Sequence, residues 1–419
     1  MGLLDSFFSS KKEGNKEPAP VYLPPVAATT NPKAAEELAA KAAALMQRGI
    51  ASDSKDLLKE ALANADKALE LDPDCYHALQ FKVAILVMLD KDDKNNLLVA
   101  LASSDRALAL QKDNASMWFN KAGILEHLGR YEEAIAAYDR SLACAPHSLV
   151  GNGGTYVAKG RTLEKLGRDN EALTLYGRVH ADDPSRGEAL EAKAALLDRD
   201  GNRDAAIVCY HNAGRVYLKR RKDTSAEGCF NHILARDPSD NEALYLKGVS
   251  LLNQSSKTKS AELPASALAC FDSALAQEPQ NPGMLTGKGR CLLEMNRIGE
   301  SLRLFDRALA IRPDDYDALM HKGLALMRLM RYDDALAVFD LTCSEYPDDA
   351  VPWSVKAAIR VNQGKYAEGL HDIDEAIRRS ERDHTYWETR AAILHKLGRT
   401  AAAEEAEAAA KRYSWFLRQ

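Results

Sequence analysis

From residue 33 onward, apolar residues recur at steps of three and four, the spacing of one helical face. The arrangement restarts about every 34 residues. One copy carries Trp118, Ala122, Leu125, Gly129, Tyr131, Ala134, Tyr138 and Pro146. The next carries Tyr156, Gly160, Leu163, Gly167, Ala172, Tyr176 and Pro184. Further copies hold Leu285, Gly289, Leu292, Phe305, Ala308 and Pro313, then Leu319, Gly323, Leu326, Tyr332, Ala335, Phe339 and Pro347. The series closes on Trp353, Ala357, Gly364, Tyr366 and Ala376, and on Trp387, Ala391, Leu394, Gly398 and Ala403. Self-similarity at this period is the mark of a helical solenoid, in which each unit buries its apolar face against the next.

Each copy reads as two helices packed on one another. A bulky residue, a Gly or Ala four positions on and a Leu three beyond share one face of the first helix. The small residue admits the second helix, which opens on its own small residue (Ala134, Ala172, Ala335) and fills the remaining space with an aromatic (Tyr138, Tyr176, Phe305, Phe339). Gly129, Gly167, Gly364 and Gly398 end first helices, and the proline of strings such as ALACAP stops the second.

These motifs resemble the tetratricopeptide repeat family, over residues 33 to about 415. The resemblance implies an all-α, right-handed superhelical solenoid of about ten helix pairs. Its concave groove, lined by the first helix of each pair, would bind peptides or helices of partner proteins. Units start near residues 35, 76, 115, 153, 187, 241, 282, 316, 350 and 384. Insertions (KDDKNNLL in the second unit, SSKTKSAELPAS in the sixth) are expected as surface loops between helices. The long spacing from 187 to 240 predicts an irregular three-helix unit whose middle helix runs from about Arg203 to Lys222. The expected organisation is thus a Pro-rich arm at 1–32, an N-terminal arc at 33–186, the irregular unit at 187–240 and a C-terminal arc at 241–419. In the last helix Glu407 replaces the aromatic, which suits a solvated capping helix. Its terminal Tyr413, Trp415, Phe416 and Leu417 are expected to fold back over the final pair.

Composition narrows the function. Lys plus Arg (56) falls below Asp plus Glu (61), a net charge of −5, which argues against nucleic acid as the partner. No apolar run reaches membrane-spanning length, and seven scattered cysteines point to a reducing cytoplasm rather than a disulfide framework. Repeats fill the chain, so a separate catalytic domain, a metal site and a cofactor are not expected. Cys209 and His211 stand two apart on a helix and point to different sides. Gly151, Gly153 and Gly154 before Lys159 lack the strand and the G-K-[ST] of a phosphate loop. The carboxylate clamp that the resemblance brings to mind, which holds acidic chaperone tails, is matched only by Asn120; Gln80, Ala84, Gly154 and Ala158 occupy its other positions.

The outward positions of the first helices in the C-terminal arc are mostly apolar. They are Tyr245, Val249 and Leu252, then Arg290 and Leu293, then Met320, Leu324, Met327 and Arg328, and finally Val351, Ala358 and Val361. This strip is the expected partner-binding groove. The middle of the chain is polar there instead, with Arg161, Glu164, Lys165, Glu188, Glu191, Asp198 and Arg199. The basic run Lys219–Lys222 is expected in the last turn of its helix, where it offsets the dipole. Leu3, Leu4, Phe7 and Phe8 share one face ahead of Lys11 and Lys12, and Met1-Gly2 with Ser6 fits an N-myristoylation pattern. The leading expectation is a cytoplasmic protein-interaction scaffold. The alternative is a regulator recruited to membranes through residues 1–12.

Overall fold

A computed structural model describes residues 31–145 and 151–416. Among them there are 21 α-helices and no strand. The chain divides into two compact units, Met1–Val216 and Tyr217–Gln419. The first holds α1 (Pro32–Ala51), α2 (Lys55–Leu71), α3 (Tyr76–Leu89), α4 (Lys94–Leu110), α5 (Ala115–His127), α6 (Tyr131–Cys144), α7 (Gly153–Lys165), α8 (Asp169–Arg178) and α9 (Arg186–Arg199). The division falls within α10 (Arg203–Lys219). The second holds α11 (Asp223–Leu234), α12 (Asn241–Thr258), α13 (Leu263–Gln277), α14 (Pro282–Glu294), α15 (Ile298–Ile311), α16 (Tyr316–Arg328), α17 (Tyr332–Glu345), α18 (Val351–Asn362), α19 (Tyr366–Arg379), α20 (His384–Lys396) and α21 (Thr400–Phe416).

Local sequence sets the helix ends. Asn114, Asp240, Asn281 and Asp315 each accept a backbone N–H from the first turn of α5, α12, α14 and α16. Gly129 and Gly167 follow α5 and α7 at φ of 76° and 73°, the left-handed conformation that a Cβ disfavours. Met330 takes the same place after α16 at φ 58° and is 71% exposed.

The aromatic of each second helix lies against the small residue of its first helix. Tyr176, Phe305 and Phe339 are buried, and a Cβ on Gly160, Gly289 or Gly323 would overlap their rings. Phe271 lies against both Gly248 and Gly287. Glycine is therefore required at these positions for close approach.

The insertions are not loops of the expected length. Asn95 to Leu98 belong to α4, and α12 runs on through Thr258, so only Lys259–Glu262 separates it from α13. Side chains hold the extension in place: Ser255 Oγ donates to Glu294 at 2.7 Å, and Lys257 Nζ meets the buried Asp223 at 2.6 Å. Three helices, α9, α10 and α11, occupy the long spacing, and α10 stops at Lys219. Arg221 turns the chain there at φ 58°, so Arg220–Lys222 form the turn and not the last helical turn. Lys222 Nζ lies 5.9 Å from the Tyr217 ring centre.

At the C-terminal end Tyr413 stacks on Trp387 with centres 6.3 Å apart, and its hydroxyl donates to Glu381 at 2.7 Å. Tyr413 thus folds back as expected; Trp415, Phe416 and Leu417 lie outside the described side chains. Glu407 is exposed and accepts from His395 Nε2 at 3.0 Å.

Candidate partner-binding face

Two ladders of polar contacts fix how successive first helices stand. In the first, an aspartate of a second helix meets a lysine or arginine of the next first helix at a constant separation along the chain. The pairs are Asp66–Lys82, Asp105–Lys121, Asp272–Lys288, Asp306–Lys322, Asp340–Lys356 and Asp374–Arg390. Asp139–Lys159 keeps the contact across an insertion that lengthens the separation. All seven close at 2.5–2.7 Å. Most of their aspartates are half exposed, so each pair contributes about 1 kcal/mol or less, and the ladder's main effect is register. Gly177 and Asn231 stand where aspartate is due, and Lys193 and Lys247 form no ion pair among the described residues. Sequence reasoning missed this ladder although its constant spacing was there to be read.

The second ladder distinguishes the units. In the first unit Tyr138 donates to Glu126, twelve residues earlier, at 2.6 Å, and Lys165 Nζ meets the same carboxylate at 3.1 Å. Tyr176 donates to Glu164 in the same register, and Arg199 reaches Glu164 at 3.6 Å and Asp169 at 2.8 Å. Burial, followed by the bond to Glu164, pushes the Tyr176 phenol well above its ordinary range. The charges along this stretch are therefore bound to one another. In the second unit the aromatic is phenylalanine, and the residue twelve earlier is apolar: Leu293 for Phe305 and Met327 for Phe339.

The expected groove residues differ in accessibility. Leu293 is 4% exposed, packed with Phe305 and Ala325; Leu252 is 0% exposed, packed with Phe271, Cys270 and Cys291. Met320 is 7% exposed, in a cluster with Ile359 of the following first helix. These three are core residues, a correction to the expected groove. The phenylalanines have no polar edge to solvate, so their apolar partners close over them. Tyr245, Val249, Arg290, Leu324, Met327 and Val361 are half-buried, and Arg328, Val351 and Ala358 are exposed. Arg328 is tied down, donating to the Leu293 carbonyl at 2.6 Å.

A tetratricopeptide repeat family model matches residues 89–148, 211–263, 261–311, 289–350 and 356–415, well over half of the chain. The chain belongs to the tetratricopeptide repeat family. No curated protein matches the chain. Among solved structures, MamA of Desulfovibrio magneticus RS-1 aligns with 40% of this chain and 94% of its own, at 18% identity and TM-score 0.35. For pilF of Pseudomonas aeruginosa the shares are 52% and 99%, at 18% identity and TM-score 0.43. Yeast Tom70 aligns with 90% of this chain and 84% of its own, at 15% identity and TM-score 0.41.

Other sequence features of this tetratricopeptide repeat protein have structural explanations. The glycine cluster before α7 is already filled: the buried Asp183 Oδ2 accepts from Gly151 N–H at 2.8 Å and Gly153 N–H at 3.0 Å. The protein's own carboxylate thus takes the anion position of that helix start, and Gly153 is required because a Cβ would collide with it. Gly153→Ala is expected to cost about 1–3 kcal/mol by overpacking, read as a lower urea midpoint. Gly177→Ala, with open space around it, is expected to leave the midpoint unchanged or raise it.

All seven cysteines are free thiols, and Cys209 is buried. Burial pushes the Cys291 thiol up to about 12, so it is protonated at neutral pH. Among the described residues no group of three or more His, Cys, Asp and Glu side chains is placed to hold a metal ion. No helix among them is long and apolar enough to cross a membrane. Leu3, Leu4, Phe7 and Phe8 lie outside the described residues.

Proposed function

We propose that the chain is a non-enzymatic interaction scaffold that buries short segments of partner proteins along the first-helix face of its second unit. The observation that carries this reading is the apolar surface left by α12, α16 and α18: Tyr245, Val249, Leu324, Met327, Val351, Ala358 and Val361 keep exposed area after the core is complete. Val351 is 41% exposed although it is a large apolar residue. Such a surface is suited to helix-in-groove or extended-peptide recognition, and the flexible methionine adapts to varied side chains. Arg290 and Arg328 supply the polar contacts of the groove, with Arg328 held in place by the Leu293 carbonyl.

The test is a pull-down from native lysate with mass-spectrometric identification, beside a Leu324→Glu, Met327→Glu variant. A second variant, Ala358→Glu, alters an exposed position and is expected to fold unchanged. With helicity verified by circular dichroism, both variants are expected to lose the same specific proteins by about tenfold or more, on the order of a desolvated charge placed in an apolar contact. Unchanged recovery in the folded variants overturns the groove reading.

A further inference from the structure

Resting on that reading, we infer that Arg290 makes the groove selective for partner segments in which one Asp or Glu side chain sits among apolar residues. Arg290 is half-buried on α14, midway along the apolar face, and forms no ion pair among the described residues. Of the neighbouring arginines, Arg312 meets Asp315 at 3.3 Å, and Arg328 is exposed and gives one N–H to the Leu293 carbonyl. A half-buried guanidinium without an ion-pair partner gains from a bidentate carboxylate, because part of its water shell is already gone.

The surroundings supply a matching set of polar groups. From α12, Tyr245 extends over α14; its Oη would lie 3.2 Å from a Cβ on Gly283, and the hydroxyl has no hydrogen-bond partner among the described residues. Thr286, one turn before Arg290, is 4% exposed, with its hydroxyl unpartnered. From α16, His321 Nδ1 lies 2.7 Å from the Asp317 carbonyl and donates to it, which leaves Nε2 as an acceptor. Burial, and then the charge of Arg290, hold the His321 pKa below its ordinary value, so the ring is neutral. The face thus offers a cation and a phenol as donors to a carboxylate, and an imidazole nitrogen as acceptor for a peptide N–H. Asp317, one turn before His321, sets an opposing charge at the rim.

The experiment uses the full chain as bait for a phage-displayed library of short random peptides, followed by affinity measurement on synthetic copies of the enriched sequences. Enriched peptides are expected to be apolar with a single Asp or Glu. Changing that residue to Asn or Gln is expected to weaken binding to the unaltered protein about tenfold, in line with a charge-assisted contact. Arg290→Gln is expected to weaken the parent peptide equally and to remove the difference between the two peptides. Enrichment of apolar peptides without an acidic residue, or a Glu→Gln peptide that binds as well as its parent, overturns the inference and leaves the groove reading standing. Failure to enrich any peptide that depends on Leu324 and Met327 overturns both.

Discussion

Phe339→Ala is expected to lower the stability of the second unit by about 3–5 kcal/mol, the cost of emptying a fully buried aromatic site. Phe339 is 0% exposed and packs with Met320, Leu326, Leu336 and Ile359, so its loss removes contacts to both its own pair and the next. The same ring explains Gly323, whose Cβ would overlap it. Gly323→Ala alone is expected to cost about 1–3 kcal/mol by overpacking. The double variant is expected to cost clearly less than the two single costs combined, because the new methyl occupies space the ring has vacated. Urea unfolding followed by circular dichroism reads all three. Strict additivity would show that ring and glycine are not in contact, and would remove the packing argument on which the repeat pattern rests.

The fold was legible because one physical requirement is repeated in every unit. A small residue facing an aromatic, with a glycine or proline closing each helix, leaves the same trace once per period. The groove was less legible because the positions that face a ligand also face the neighbouring unit. Leu252, Leu293 and Met320 read as outward by helical periodicity, yet the Phe271, Phe305 and Phe339 clusters draw them inward. The twelve-residue relation separates polar from apolar positions but not buried from open ones: Glu126, twelve before Tyr138, stays polar and paired, Leu293, twelve before Phe305, is in the core, and Met327, twelve before Phe339, is half-buried. His395 with Glu407 keeps the relation with the partners exchanged. By contrast, nothing in the local sequence could show that Gly151 and Gly153 serve Asp183, because the contact joins distant parts of the chain and depends on how α7 and α8 pack.

The ion-pair ladder gives the other large expected effect, and it falls on one rung. At Asp66–Lys82 the aspartate is 45% exposed, so Lys82→Ala is expected to cost about 1 kcal/mol or less. Lys356 is different: its side chain is 7% exposed, and it meets Asp340 at 2.7 Å and the buried Asp372 at 3.5 Å. It also lies 4.1 Å from the centre of the Trp353 ring, whose other neighbour is Arg379 at 4.7 Å. Lys356→Ala therefore removes a charge on which a 3%-exposed carboxylate depends, leaving Arg360 Nε at 2.9 Å as its remaining cation. The expected loss is about 2–3 kcal/mol, below the range for a fully uncompensated buried charge because Arg360 stays on Asp372. Adding Asp372→Asn is expected to recover part of it, since the buried carboxylate, left with Arg360 as its one cation, is gone. If Lys356→Ala proved no worse than Lys82→Ala, burial would not be what separates the rungs. If the added Asp372→Asn made matters worse, the carboxylate would be held by Arg360 alone, and Lys356 would act only on Trp353 and Asp340.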